Sequence, residues 1–282
     1  MKGWSCMRLH ILPLLLALLL VLSAGPVTAE TISSPVYSAS ELFTERDLLQ
    51  EADVSGAEKI TVVSGEDVRI TAGGVYVLSG TASGMTVCVD AGPEAKVQLV
   101  LDGLSIINED FPCVYILTAD KVFITIAADS SLSVTGTFRK DGNTKTDGAL
   151  FSKQDTVLNG TASLSVSSGE NGIVCKDDLK ITGGTYQIEA AKKAIEAKDS
   201  IRIAGGTFIL DAGTDGLHAE NKNDEMLGYI YIGGGAFNIT AGDEGIYAVS
   251  VLQIDGGTFS IRSADGFNAA LVQLNGGSGT WQ

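Results

Sequence analysis

The sequence predicts an all-β chain wound as a single-stranded parallel β-helix, a solenoid with three short strands in each coil of about 22 residues. Three observations predict it. A glycine pair recurs at near-constant spacing, an apolar-x-apolar run precedes each pair, and an aromatic-x-apolar run follows it. The pairs begin at Gly183, Gly205, Gly234, Gly256 and Gly276, so the interval stays near one value except between Gly205 and Gly234. That longer interval holds an inserted loop, residues 221–228. Self-similarity at such a period marks stacked repeats. A sandwich of hairpins would place turns every 8–12 residues but would not fix a longer unit.

Residues 1–29 read as a secretory signal that is removed. Lys2 and Arg8 precede the apolar stretch 12–22, and Val27-Thr28-Ala29 offers small residues before a cut. The stretch is short for a span of about 20 residues. The expectation is a secreted protein, extracellular or at the cell surface, with no membrane span in the mature chain. Residues 30–55 form a charged lead-in, with 40–52 as a short helix or an extended stretch. Its expected role is a cap over the first open strand edge. Residues 56–282 form the β-helix, with strands at 75–78, 86–89, 97–101, 122–126 and 132–134 ahead of the regular repeats. The chain stops shortly into a further coil, which leaves little sequence for a C-terminal cap.

Within each repeat, period-two alternation sends one face inward. The strand before the glycine pair then supplies an inner row of Ile181, Ile203, Ile232, Ile254 and Leu274. The strand after it supplies Tyr186, Phe208, Phe237 and Phe259 as a stacked aromatic row at about 4.8 Å per coil. A third strand follows a turn at Gly172, Gly216, Gly245 and Gly266. Cys88, Cys113 and Cys175 are too few and uneven for a disulfide framework. Cys175 stands where neighbouring coils place Ala197 and Ala219, so buried small packing is its expected role.

Lys+Arg total 19 against Asp+Glu 34, a net charge of −15. Phosphate backbones are bound by neutralising lysines and arginines, so nucleic acid is excluded as the default partner. The expected state is a monomer.

At this point the chain resembles the clostridial-type secreted carbohydrate-binding β-helix proteins, a family once grouped as a domain of unknown function. Residues 43–48 (FTERDL), 74–81 (GVYVLSGT), 100–106 (VLDGLSI), 119–125 (ADKVFIT) and 177–185 (DDLKITGGT) carry the resemblance, in order across 43–277. It implies a right-handed parallel β-helix similar to pectate lyases, bound calcium, and affinity for cellulose and acidic sugars such as polygalacturonate. It does not imply a catalytic activity. Where the family carries Asp-Gly, this chain has Lys193-Ala194, which puts a calcium site at that coil in doubt.

The outward rows suggest where ligands sit. One corner row reads Asp147, Asn171, Lys193, Asp215, Glu244 and Asp265; a second holds Asp155, Asp177, Asp178 and Asp199. Stacked carboxylates repel unless a cation lies between them, and calcium takes six to eight oxygens. The expected metal ligands are Asp147, Asp177, Asp178, Asp199, Asp215, Glu244 and Asp265, although Asp-Gly is also plain turn chemistry. Lys193 is expected to stand in for a cation beside Asp215. Sugar-compatible groups occupy two outward rows: Lys180, Arg202 and Tyr231 on the first strand, His218, Tyr247 and Asn268 on the third. Tyrosine rings stack on sugar faces, and lysine and arginine pair with uronate carboxylates. The sequence therefore points to a secreted, calcium-associated, non-catalytic protein that binds polysaccharide. Two alternatives stand beside it: a pectate-lyase-type polysaccharide lyase, with Lys193, Lys198 or Arg202 as base, and a structural or adhesive surface solenoid.

Overall fold

The computed structural model describes residues 36–282; the signal reading of residues 1–29 lies outside them. Among the described residues, twenty-four strands wind into a parallel β-solenoid of about 9 turns, each of about 23 residues. Every strand pairing among the described residues is parallel and joins one coil to the next. The helix Ala39–Leu42 is a single turn.

Registers follow the repeat. Ile181, Ile203, Ile232, Ile254 and Leu274 stand over one another. Tyr186, Phe208, Phe237 and Phe259 do the same, with ring centroids 5.3, 4.6 and 4.8 Å apart and nearly parallel planes. All four rings are buried, and each stacked pair adds about 0.5–1.5 kcal/mol beyond its area. Cys175 lies in register with Ala197 and is fully buried, and desolvation pushes its thiol up to about 12. It is inert packing rather than a nucleophile.

The glycine pairs divide their labour. It is the second glycine that turns left-handed, with φ of +89° at Gly184, +121° at Gly206 and +118° at Gly235. At Gly206 a Cβ would also lie 3.1 Å from the Gly184 carbonyl and 3.3 Å from the Phe208 ring. Conformation and close approach both demand glycine there.

The lead-in differs from its expected place. Its described residues 36–50 run along the side of the solenoid, across the outward row of the first strand. Tyr37 stacks on Tyr229 at 4.3 Å, and its N–H donates to Gln253 Oε1 at 2.8 Å. Phe43 packs on Tyr231 at 6.1 Å. Asp47 is fully buried and accepts from Lys121 Nζ at 2.8 Å and Lys180 Nζ at 2.7 Å. Thr182 Oγ1 donates to the Asp47 carbonyl at 2.6 Å, and Gly160 N–H donates to Gln50 Oε1 at 3.0 Å.

Three residues expected to contact sugar have partners within the chain. Lys180 is held by Asp47. Arg202 is paired with Asp178 and lies 5.4 Å from the Tyr229 ring. Tyr231 is 1% exposed and donates from its hydroxyl to Asp255. The row alternates outward as predicted, but a segment far away in sequence lies on it.

Candidate functional site

The outward row of the third strand has two halves. Cys88, Tyr115, Phe151 and Val174 stand in register in the first half. Tyr115, Phe151 and Val174 form a small apolar cluster of their own and are buried. Phe111 packs edge-on against Tyr115 at 5.2 Å, and the Tyr115 hydroxyl donates to Asp141 at 2.8 Å. The second half continues with Glu196, His218, Tyr247 and Asn268. Here Tyr247 is half-buried and Asn268 exposed. The His218 ring stacks on Tyr247 at 4.6 Å, and its Nδ1 lies 2.8 Å from Asp215 Oδ2. Asn268 Nδ2 donates to Glu244 Oε1 at 3.1 Å.

A cleft of about 560 Å³ opens beside this half-row and shares Glu196 with it. Its walls carry Lys145, Lys176, Lys192, Lys193, Lys198 and Lys222, against the carboxylates of Asp147, Glu196 and Glu220. Counting Glu170 and Asp199, which pair with Lys192 and Lys198, five carboxylates face these six lysines. Lys176 and Lys193 reach Glu196 at 2.8 and 3.3 Å. Burial raises the Glu196 pKa, but these two ammonium groups prevail and hold it below the usual carboxylate range. Lys193 thus serves Glu196, not Asp215 as expected.

The acidic corner gathers Asp215, Asp243 and Glu244, whose carboxylate oxygens lie within 4.8 Å of one another. Glu244 is pushed up to about 7, by burial first and then by its hydrogen bond to Asp215. Asp215 is buried too, yet hydrogen bonds from His218 and Glu244 hold it low. Three carboxylates gathered in one place make a site with all-oxygen donors and excess negative charge. Those residues fit calcium, a hard cation that takes oxygen ligands. Sequence reasoning misses Asp243; the acidic doublet before Gly245 is the signal that would have found it.

The other expected ligands are placed differently. Asn171 pairs in register with Gly148, so Asp147 sits one residue off the corner row and binds Lys145 at 2.9 Å. The coil there is longer by a single residue than the next one. Asp265 stands beside Glu244 in register but outside the three-acid group. At the second corner, Asp178 accepts from Ser200 at 2.6 Å and pairs with Arg202. Asp199 accepts from Asn221 at 2.6 Å and pairs with Lys198 at 3.1 Å. Asp177 is pushed up to about 6, by burial first and then by the charges of Asp155, Asp199 and Asp178.

Residues 64–278 match a family model described as carbohydrate-binding domain-containing protein. The chain belongs to this carbohydrate-binding domain family. The matched span takes in the half-open row, the lysine cleft and the acidic corner, and it begins after the covering segment. A carbohydrate-binding domain-containing protein of Acetivibrio thermocellus is 32% identical over 171 residues, 59% of this chain. The chain spans 58% of that relative's length. A solved structure, the polysaccharide lyase-like protein from C. thermocellum as a gadolinium derivative, is 29% identical with a TM-score of 0.68. That likeness covers 78% of this chain and 98% of the other. The half-row carries a half-buried tyrosine beside amide and carboxylate groups, and the cleft carries ammonium groups.

Proposed function

We propose that this protein is a secreted, calcium-associated module that holds polysaccharide, cellulose or an acidic glycan such as polygalacturonate, without cleaving it. The observation that carries the reading is the half-open row itself. Tyr247 and Asn268 remain accessible where the first-strand row and the apolar half of the third are covered, and the row runs into the lysine cleft. Its groups repeat with the coil spacing of about 4.8 Å, close to the advance of one sugar along an extended polymer. Successive coils therefore meet successive sugars.

Asp215, Asp243 and Glu244 would hold the calcium, and Asn268 on Glu244 ties that corner to the sugar-facing row. A bound cation supplies a positive charge that bridges protein carboxylates and glycan oxygens. The non-catalytic reading is supported by His218, which is 8% exposed, locked by Asp215 and covered by Tyr247. Of the bases a lyase would recruit, Arg202 is engaged by Asp178.

Retention on insoluble cellulose and on immobilised polygalacturonate, with calcium and then with excess EDTA, tests the reading. Retention that falls with chelator is expected. Full retention in EDTA removes calcium from the mechanism, and no retention on either polymer favours a structural solenoid. Absorbance of unsaturated products from polygalacturonate stays at baseline for a binder; its rise identifies a lyase.

A further inference from the structure

We infer that His218 is a positioning residue that carries the state of the acidic corner to the sugar-facing row: Asp215 fixes its ring, and its ring fixes Tyr247. The inference rests on the polysaccharide-binding reading above, with its cation at the corner, and adds a route between the two sites.

His218 itself offers a ligand almost no surface. It is 8% exposed and lies in register between Glu196 and Tyr247. The Asp215 carboxylate only accepts, so the 2.8 Å contact places a ring proton on Nδ1. The other nitrogen, Nε2, is buried without a hydrogen-bond partner and stands 3.8 Å from the Glu220 carboxylate, beyond hydrogen-bond distance. Asp215 is therefore the polar hold that sets how the imidazole is turned. Tyr247 rests on that ring at 4.6 Å with the planes 17° apart. One face of the tyrosine is taken, so a sugar meets its other face or its hydroxyl edge. Turning the imidazole would swing the plane on which Tyr247 rests.

The anchor of this pair is a corner carboxylate. Asp215 and Glu244 both belong to the three-acid group, and the Glu244 N–H donates to Asp215 Oδ1 at 3.3 Å. Glu244 Oε1 in turn accepts from Asn268 Nδ2 at 3.1 Å. Both accessible side chains of the row are thus anchored to the corner, Tyr247 through His218 and Asn268 directly. A carboxylate offers about four lone-pair sites, so these hydrogen bonds and a cation can share it. Outer partners of metal-binding carboxylates orient the site and are oriented by it. By linkage, whatever tightens the sugar when the cation is bound tightens the cation when the sugar is bound. An uncharged sugar, which has no carboxylate for a cation to bridge, therefore still responds to the corner.

Calorimetric titration of the full chain with a cellulose hexamer, in saturating calcium and in excess EDTA, tests this, with thermal melting as the control for folding. The wild type is expected to bind the hexamer about fivefold more tightly with calcium. His218→Phe keeps a ring beneath Tyr247 but loses the hold of Asp215, and is expected to bind the hexamer equally in both conditions. Calcium dependence that survives in the folded variant means that the cation meets the sugar directly, and overturns the inference. In a Tyr247→Ala background, His218→Phe should weaken the hexamer no further; additive losses overturn the route through Tyr247. Without sugar, calcium should change the near-ultraviolet dichroism of the wild type and leave that of His218→Phe unchanged; equal changes in both overturn the inference. Wild-type binding of the hexamer that is equal in calcium and EDTA, or absent beside retained binding of polygalacturonate, sinks this inference and spares the polysaccharide reading. Wild-type protein that binds neither the hexamer nor any polymer sinks both.

Discussion

Two outward rows of the same solenoid have opposite fates. Lys180, Arg202, Tyr231 and Gln253 on the first strand look as sugar-compatible as Glu196, His218, Tyr247 and Asn268 on the third. The first row is closed by residues 36–50, and its charges are spent on Asp47 and Asp178. The third stays half-open above a cleft lined by lysines. An outward position is thus only eligible for a ligand; whether it meets one depends on what else in the chain reaches it.

The broadest way to break the comparison is to remove the scaffold common to both rows. Phe208→Ala opens a cavity in the middle of the aromatic stack and is expected to cost about 3–5 kcal/mol. Urea unfolding should show it as a lower midpoint, with the covered and open rows lost together. Asp47→Asn strikes the covered row alone. It leaves Lys121 and Lys180 facing a neutral amide in a buried place, at a cost of about 3 kcal/mol, measurable by the same unfolding. Glycan retention in that variant should match the wild type.

Acidity separates the two regions by sign. The lysines beside Asp47 hold its carboxyl well below the usual range against the opposing effect of burial. Its stabilisation is therefore present above about pH 4, the unfolded value, and is lost as pH falls toward the folded one. Glu244 is raised to about 7, so its contribution is fully present below about pH 4.3. That contribution is lost as pH climbs to about 7. Calcium, once bound at that corner, removes the repulsion. Its addition should raise the melting temperature by about 2–4 °C at pH 8 and by less at pH 5; equal shifts at both would place the cation elsewhere. The smallest effect belongs to the cleft, where Lys192→Gln should change stability by no more than about 0.5 kcal/mol.

The inner architecture was legible because stacking imposes it. A row such as Tyr186, Phe208, Phe237 and Phe259 has one register that keeps it dry, and the glycine spacing states that register directly. The outer faces were legible only as alternation. Nothing in the repeat says that Tyr37 will lie on the distant Tyr229, since the covering segment has no repeat of its own. Asp147 was misaligned because Asp147-Gly148 looks like the turn pair Asn171-Gly172, whereas the register sets Gly148 itself against Asn171. The cleft escaped notice because its lysines come from corners and loops of several coils, not from one row.

A stack of windings melts from its free ends inward, one layer after another. Residues 36–50 tie together layers as distant as those of Lys121 and Gln253, so no single layer between them can peel away without first releasing the tie. The zipper becomes a latch. Amide protons along this stretch should exchange as one cooperative block, and a mechanical pull should meet a single high threshold in place of a staircase.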